Sequence, residues 1–373
     1  MTHHSRVSSG LLVILVGLTL GARPAGGQAF QGRPFRWNHE FVGVAAACAL
    51  SDGSVIVTDP GDYAVILLTP TGADRQLGRR GNGPGEYQAP GACFALSGDS
   101  ALVFDRLLRR FVLLPPGEGR AATLSWPSGL GAGWHEPVGL DEAGAVILRG
   151  PRQPGNQEAI LRWDRTRGTI DTVTRIDAGA AKVMETQAAS LTRPIPYAAR
   201  SGVVAAPGIG VVMVHASPYR VDVWRGGNAR RGATLPYTPV PVDQGDIDAY
   251  VEANSPPAGA VGMRSDGQPV RIARRTLTLE SFGLTRDDFP RVKPPFDPAG
   301  LVPSAAGEVW IRLHRPSGDY SERYDVVDAT GTRREPVTLP PRRRLVAVSP
   351  AALVVVATDD DGREFLEVVP KRE

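Results

Sequence analysis

Five proline-containing segments of this sequence carry the side chains best suited to holding a ligand: 81–90, 133–137, 193–200, 293–298 and 340–345. The candidate ligand-binding residues among their ionisable and aromatic side chains are Glu86, Tyr87, His135, Glu136, Tyr197, Arg200, Asp297, Arg342, Arg343 and Arg344. Four of these are arginines, against three acids, and a guanidinium can hold a carboxylate or sulfate-like group through two hydrogen bonds. We therefore predict a site for an anionic ligand. The alternative is that these are ordinary solvated loop residues.

Signatures of catalysis and metal binding are sparse. After the N-terminal apolar segment the histidines are His39, His135, His215 and His314, and no H-E-x-x-H, C-x-x-C or G-x-S-x-G motif is present. The glycine-rich stretch 81–90 lacks Gly-Lys-Ser/Thr and leads into a strand, which argues against a phosphate loop. We predict no cofactor, no metal and no catalytic residue. His215 and His314 are interpreted as structural, and convergence on a channel metal is the alternative.

The composition is that of a globular protein rich in turns. The 373 residues include 43 glycines and 33 prolines, with 42% hydrophobic and 22% charged residues. This frequency of glycine and proline leaves little room for long helices. A formal net charge of +3 is small for this chain length, so we predict no nucleic-acid partner.

A repeated pattern organises the chain. The stretch 45–59 aligns without a gap on 91–105, with identities that include Asp59 and Asp105. Weaker copies begin at Pro137, Val203, Leu301 and Arg344. Each copy contains short strands rich in Val, Ile and Leu, separated by turns that hold glycine or polar pairs.

Six units of about 40 to 46 residues, with up to four strands each, predict an all-β fold, a six-bladed β-propeller. One four-stranded sheet cannot cover both its faces, whereas sheets arranged around an axis cover one another. The last unit lacks its outermost strand, and we predict that the strand-like segment 35–44 supplies it and closes the ring. The proline-containing segments then bring their side chains to one mouth of the central channel.

The segment 241–298 interrupts the repeat between units four and five. Residues 242–254 predict a short helix with Asp243 as its N-cap, and residues 278–290 predict a second helical piece that ends at Pro290. An insertion of this length is either a functional lid or subdomain, or a surface decoration. The residue pattern leaves both open.

Two motifs carry a resemblance to a known family. Strand ends of the V-x-V-x-D type occur at Asp59 and Asp105, and the connector 81–90 reads G-x-G-P-G-E-Y-x-x-P. With these motifs the chain resembles exported bacterial six-bladed β-propellers of the NHL-repeat-like type, whose functions are mostly uncharacterised. The resemblance is strong in the first two units and looser afterwards. It implies a fold rather than an activity, because propellers host hydrolases, lyases and binding modules alike.

The N-terminus has the layout of a secretory signal peptide. A segment with an arginine and no acid precedes the uncharged run 11–20, and the small residues Gly27 and Ala29 follow. The apolar run is too short to span a membrane. We predict cleavage after Ala29, a propeller domain over 30–373, no later membrane span and a periplasmic or extracellular mature chain.

The sequence contains two cysteines, Cys48 and Cys93. In the repeat alignment they are one residue out of phase, so they face opposite sides of their sheets. Adjacent blades meet through opposite faces, and an oxidising compartment permits a disulfide. A disulfide between the first two units and a pair of buried thiols both remain open.

The function predicted from the sequence is that of an exported propeller that binds a ligand or partner at its channel mouth, without catalysis. The expected partner is an anionic small molecule or an envelope protein. Two alternatives remain: a propeller hydrolase, lactonase or lyase with a channel metal, and a scaffold for other envelope proteins.

Overall fold

The computed structural model of the chain describes residues 34–117, 119–131, 133–185, 190–255, 261–263, 269–271 and 277–371. The predicted signal peptide, 1–29, lies outside these residues. The described chain is mostly β-structure with a little helix, as the frequency of Gly and Pro predicts.

The first two units are antiparallel sheets of four consecutive strands. Strand β1 (Phe35–Arg36) precedes them. Unit 1 consists of β2 (Ala46–Ala49), β3 (Val55–Asp59), β4 (Ala64–Leu68) and β5 (Asp74–Arg80), and the short β6 (Glu86–Tyr87) pairs with β5 in parallel. Unit 2 consists of β7 (Pro90–Ala95), β8 (Ala101–Asp105), β9 (Arg110–Leu114) and β10 (Ala122–Ser125).

The next two units have the same strand order. Unit 3 consists of β11 (Glu136–Leu140), β12 (Val146–Gln153), β13 (Gln157–Asp164) and β14 (Thr169–Asp177). A two-stranded hairpin of β15 (Ala181–Glu185) and β16 (Ser190–Pro194) follows. Unit 4 consists of β17 (Gly202–Ala206), β18 (Gly210–Ala216), β19 (Tyr219–Arg225) and β20 (Asn228–Arg230).

The segment between units 4 and 5 contains the predicted helix. Strand β21 (Val240–Pro241) leads to α1 (Gln244–Ala253), whose N-cap is Asp243 in a reciprocal capping box with Asp246. The segment continues with β22 (Val261–Met263), β23 (Pro269–Arg271), two single 3-10 turns at Leu279–Phe282 and Arg286–Asp288, and β24 (Val292–Lys293), which pairs with β21. The helix and the 3-10 turns share a small buried cluster around Ile247 and Leu284.

The last two units complete the set. Unit 5 consists of β25 (Phe296–Ser304), β26 (Glu308–Leu313), β27 (Arg323–Asp328) and β28 (Val337–Thr338). Unit 6 consists of β29 (Arg343–Val348), β30 (Ala352–Thr358) and β31 (Glu364–Pro370). Its fourth strand is β1, which pairs with β31 in antiparallel register, Phe35 opposite Val368.

Buried apolar clusters join each described unit to the next and the sixth to the first. Strand β3 is covered by apolar clusters on both of its faces. Val57 packs in the cluster shared with unit 6, whereas its neighbour Ile56 packs in the cluster shared with unit 2. Successive side chains of a strand point to opposite faces, so a strand covered on both sides becomes a continuous apolar run. The first strands of consecutive units also lie side by side all the way round.

Two aspartates explain the strongest part of the repeat. The Asp59 carboxylate accepts hydrogen bonds from the backbone amides of residues 42, 43, 61 and 62 at 2.8–3.2 Å. Asp105 accepts from the amides of residues 88, 89, 107 and 108 at 2.8–3.2 Å. Both side chains are buried. Each aspartate therefore ties the segment that enters its unit to the turn between the second and third strands.

The two cysteines form a disulfide. Cys48 lies on β2 and Cys93 on β7, with a Cα–Cα distance of 5.6 Å. The bond joins unit 1 to unit 2, and both residues lie in the apolar cluster between these units. Of the two possibilities open from the sequence, the structure has the disulfide.

Candidate functional site

A cavity of about 460 Å³ lies where the chain enters units 4 and 5. Its walls come from the segment 193–200 before β17, the segment 293–298 around the start of β25, and the end of β26. Tyr250 of α1 contributes from the side. The cavity thus lies at the end of the units to which the proline-containing segments deliver the chain, and three of the ten residues predicted from the sequence line it: Tyr197, Arg200 and Asp297.

Most of the charge in the cavity wall is neutralised by direct ion pairs. Lys293 Nζ lies 2.6 Å from Asp246 Oδ1 and donates a second bond to the Arg315 carbonyl oxygen at 2.6 Å. Arg312 forms an ion pair with Asp297, and Arg315 Nη1 lies 2.8 Å from Glu322 Oε2. These three cations lock the wall together and are not free to bind a ligand without losing an acid partner.

Arg200 is the exception among the cations of the wall. Within the part of the chain that the structure describes, its guanidinium makes no hydrogen bond and no ion pair. Burial lowers the pKa of Arg200 from its usual value, and the neighbouring Arg149 lowers it further, whereas Asp297 raises it. The group stays charged at neutral pH, because an arginine pKa lies far above 7. A half-buried guanidinium without a partner is a ready donor for an anion.

Tyr197 and His314 are neighbouring uncharged polar residues of the wall. Burial, together with the charges of Lys293 and Arg312, lowers the pKa of His314 to about 4, so its imidazole is neutral at pH 7. Burial and the Asp246 carboxylate raise the pKa of Tyr197 to about 12. The Tyr197 ring stands edge-on to that of His314 at 5.4 Å, and its hydroxyl donates to Asp246 at 3.4 Å. His314 can therefore donate or accept one hydrogen bond toward the cavity.

The structure places Glu86 and Tyr87 elsewhere. Glu86 Oε2 accepts the Gly83 amide at 2.9 Å, and Arg79 lies 3.3 Å from its other oxygen, so it organises its own loop. Tyr87 is fully buried in the cluster between units 1 and 2, and its hydroxyl has no hydrogen-bond partner among the described residues. Gly78 makes this possible, because a Cβ there would lie 2.2 Å from the Tyr87 ring.

His135 and Glu136 lie at the start of unit 3. His135 is buried with Nδ1 3.3 Å from the Gly133 carbonyl oxygen, and burial lowers its pKa. Glu136 is exposed and pairs with Arg149 at 3.1 Å. Neither residue lines the cavity.

The three consecutive arginines at the start of unit 6 have other contacts. Arg342 pairs with the exposed Asp360, and Arg343 Nε lies 3.0 Å from Glu367 Oε2. Arg344 donates to the Val44 carbonyl oxygen at 3.1 Å, which links unit 6 to the segment that enters unit 1. None of the three lines the cavity.

Besides Tyr250 of α1, sequence reasoning missed Lys293, Arg312 and Arg315 as parts of the cavity, and it interpreted His314 as structural. Lys293 lies in one of the proline-containing segments, so its position there was the available signal. Arg312, His314 and Arg315 lie at the end of β26 and just after it. Turns between the second and third strands reach the same end of a unit as the entering segment, and this rule would have found them.

A second cavity, of about 670 Å³, lies at the opposite end of units 3 and 4. Its charged groups are paired: Arg162 Nε lies 2.5 Å from Asp141, and Arg225 Nε lies 3.0 Å from Glu142. Both arginines that line this second cavity therefore have an acid partner, unlike Arg200. Among the described residues, no group of three or more His, Cys, Asp or Glu side chains is arranged to hold a metal ion.

No protein-family model matches the sequence, and no curated protein matches it either. Among solved structures, a putative exported protein from Bacteroides fragilis is similar at 9% identity over 91% of this chain and 95% of its own, with a TM-score of 0.52. A gluconolactonase from Xanthomonas campestris has 10% identity over 91% and 92% of the two chains and a TM-score of 0.47. Virginiamycin B lyase from Staphylococcus aureus has 9% identity over 90% and 98%, with a TM-score of 0.40.

At these identities the similarity concerns the fold alone. The sheet arrangement, together with the likeness to the Bacteroides protein, identifies a fold of the β-propeller type. None of the helices in the described chain combines the length and the apolar character needed to cross a bilayer.

Proposed function

We propose that this chain is a six-bladed β-propeller, exported after cleavage behind Ala29, with the segment 241–298 as a partly helical insert between blades four and five. The grouping of described strands into six units and the pairing of β1 with β31 support the architecture. The charge and apolar layout of residues 1–29 supports export. Recovery of a periplasmic chain whose first residue is Phe30 is the expected result for a full-length chain expressed in bacteria.

The proposed activity is the binding of a small anionic ligand in the cavity between blades four and five, without chemical conversion. The observation that carries this proposal is Arg200, a charged group in the cavity wall that has no partner in the described chain. A half-buried cation without a counter-ion has lost part of its hydration, and an anion that reaches it compensates this cost. Apolar residues also line the cavity, among them Ile195 and Leu313, and an ion contact beside apolar surface is screened less than one in bulk water.

Calorimetric titration of the purified protein at low salt tests the proposal. The probes are hexanoate, benzoate, succinate, sulfate and phosphate, and we expect at least one to bind. Arg200→Gln should weaken that anion by about tenfold or more, because a charge-assisted bond is lost. Arg167→Gln is the matched control, since it removes an exposed arginine at the far end of β14. The proposal is wrong if none of the probes binds, or if both variants bind equally well.

The same preparation addresses the enzymatic and scaffold alternatives. Elemental analysis that finds one bound metal per chain, together with hydrolysis of a lactone or cleavage of a cyclic ester, would replace the binding proposal by an enzymatic one. Co-purification of one stoichiometric envelope protein, with no effect of Arg200→Gln on any small anion, would favour a scaffold.

A further inference from the structure

We propose that the cavity selects a singly charged amphiphilic carboxylate, with its acid group on Arg200 and an apolar body against the cavity wall. This inference rests on the proposed function, because it names the class of anion that the same site takes. It depends on the net charge of the cavity wall, on the planar shape of the Arg200 guanidinium and on the apolar residues that line the cavity.

The charge count gives one uncompensated positive charge. The cations of the wall are Arg200, Lys293, Arg312 and Arg315. The last three are paired with Asp246, Asp297 and Glu322 respectively. His314 is neutral at pH 7, since the pKa of its imidazole is about 4. A monoanion restores neutrality, whereas a dianion would bring a second negative charge close to three acids and meet repulsion.

The neighbours of Arg200 outside the wall do not change this count. Arg149 is held between Glu136 and Glu158 at 3.1 and 3.5 Å. Arg152 donates to the carbonyl oxygens of Ala178 and Gly179, at 2.7 and 2.6 Å, and to the Asn156 side chain. Arg149 and Arg152 place two positive charges near Arg200, and Glu136 and Glu158 contribute two negative charges, so these four residues add no net charge.

A single free guanidinium matches the geometry of a carboxylate. Two of its five N–H groups can bond the two carboxylate oxygens in parallel. A phosphate or sulfate presents further oxygens that need additional donors. The remaining uncharged donors of the wall are few, because Tyr197 already donates to Asp246. Unpaired oxygens of a larger anion in this half-buried site would lose solvation without replacement.

Apolar residues form one part of the wall, beside its charged and polar side chains. Four prolines line the cavity, at positions 194, 196, 294 and 298, and Ile195 and Leu313 line it as well. Proline rings hold the backbone at a fixed φ, so this surface is preorganised and a ligand pays little entropy to order it. A cavity of about 460 Å³ lies within the range that encloses a small organic molecule. A carboxylic acid with a hydrocarbon body can contact both the Arg200 guanidinium and these apolar residues.

Matched probe series test the inference by calorimetric titration. Each carboxylate is compared with its neutral and its dianionic counterpart: hexanoate with hexanol and adipate, benzoate with benzyl alcohol and terephthalate. In at least one series the monoanion should bind about tenfold more tightly than either counterpart. Hexanoate should also bind about tenfold more tightly than butyrate, because two more CH₂ groups are buried.

Variants at Arg200 link this selectivity to the proposed residue. In Arg200→Gln the preference for hexanoate over hexanol should fall to about one, and Arg200→Lys should retain part of it, since the charge remains and the fork is lost. Circular dichroism and Tm establish that each variant is folded, and the Arg167→Gln control should keep the full preference. If Arg200→Gln does not fold, Arg200→Lys and the salt dependence of hexanoate binding by the wild-type protein provide the same test.

The possible outcomes separate the two proposals. Tighter binding of adipate, terephthalate or phosphate than of every monocarboxylate overturns this inference and leaves anion binding in place. Equal binding of the monoanion and its neutral counterpart in both series overturns it as well. Binding of no probe at all overturns both proposals.

Discussion

Lys293 and Asp246 form a buried ion pair, with Nζ 2.6 Å from Oδ1 and side chains only 3% and 6% exposed. The pair joins β24 at the cavity wall to the first turn of α1, where Asp246 also accepts the Asp243 amide at 3.0 Å. The helix of the 241–298 segment is therefore anchored to the cavity by a contact between charges that have been removed from water.

Removal of one partner of this pair should be strongly destabilising. Lys293→Met leaves the Asp246 carboxylate buried without its counter-ion, and we expect a loss of about 3–5 kcal/mol in the free energy of unfolding. Urea denaturation measures the loss. Lys182→Met is the control, because Lys182 pairs with Asp288 at 2.8 Å at a more exposed position and should cost about 1 kcal/mol or less. Similar losses in the two variants would contradict the anchoring role.

Asp59 and Asp105 should be equally important for stability. Each is buried and accepts four backbone amides in the same arrangement, so alanine at either position leaves several donors unsatisfied. We expect each substitution to cost about 3 kcal/mol or more. Asp62→Ala, in the exposed turn beside Asp59, is the matched control and should cost less than about 0.5 kcal/mol. A small effect at only one of the two buried aspartates would contradict the claim that their hydrogen bonds stabilise units 1 and 2 equally.

The pH dependence of stability should include a contribution from His314. Its pKa in the folded protein, about 4, lies below the ordinary value of 6.5. Between these values the unfolded chain binds more protons, so stability falls as the pH drops from 6.5 toward 4, by at most about 3 kcal/mol from this residue. Above pH 6.5 the contribution vanishes.

His314→Gln should therefore flatten the profile of Tm against pH between 6.5 and 4.5. The slope should shrink rather than disappear, because burial also lowers the pKa values of His135 and His215. Thermal denaturation of the variant and the wild-type protein in parallel gives the comparison. Parallel profiles across this range would show that His314 titrates normally in the folded chain.

The disulfide predicts both a chemical and a thermodynamic result. Thiol titration of the unfolded, unreduced protein should detect no free Cys48 or Cys93. The bond closes a loop with a sequence separation of 45, so the double variant Cys48→Ser/Cys93→Ser should lose about 3–4 kcal/mol of stability. The reduced wild-type protein serves as the control and should be destabilised to a similar degree. Two reactive thiols in the untreated protein would be incompatible with this pairing.

The repeat made the strands and their order predictable, because local signals determine them. Short runs rich in Val, Ile and Leu, bounded by turns at glycine, define each strand, and the alignment of Asp59 with Asp105 marks equivalent strand ends that carry equivalent hydrogen bonds. The N-cap at Asp243 is equally local, since its partner is Asp246, three residues on. The alignment also placed Cys48 and Cys93 on opposite faces of neighbouring units, but left open whether their sulfurs meet.

Tyr87 shows where local reasoning failed. Its segment connects two units, and the sequence therefore suggested a position at the channel mouth. The ring is instead buried between units 1 and 2, in space that Gly78 leaves open. Whether a connecting residue faces solvent or an interface depends on how two sheets pack, and this packing is not encoded in the pattern of one segment.

The sequence alone determined the β-strand units, their turns and the helix of the 241–298 segment, because hydrophobic periodicity and capping act over a few residues. Only the tertiary structure decided which side chains share the cavity. Arg200, Lys293 and Arg312 come from three separate segments of the chain. Lys293 and Arg312 each form an ion pair with an acid, whereas Arg200 does not and so can bind a ligand. Ion pairing falls off within a few ångströms, so it depends on three-dimensional proximity, which composition and spacing along the chain do not specify.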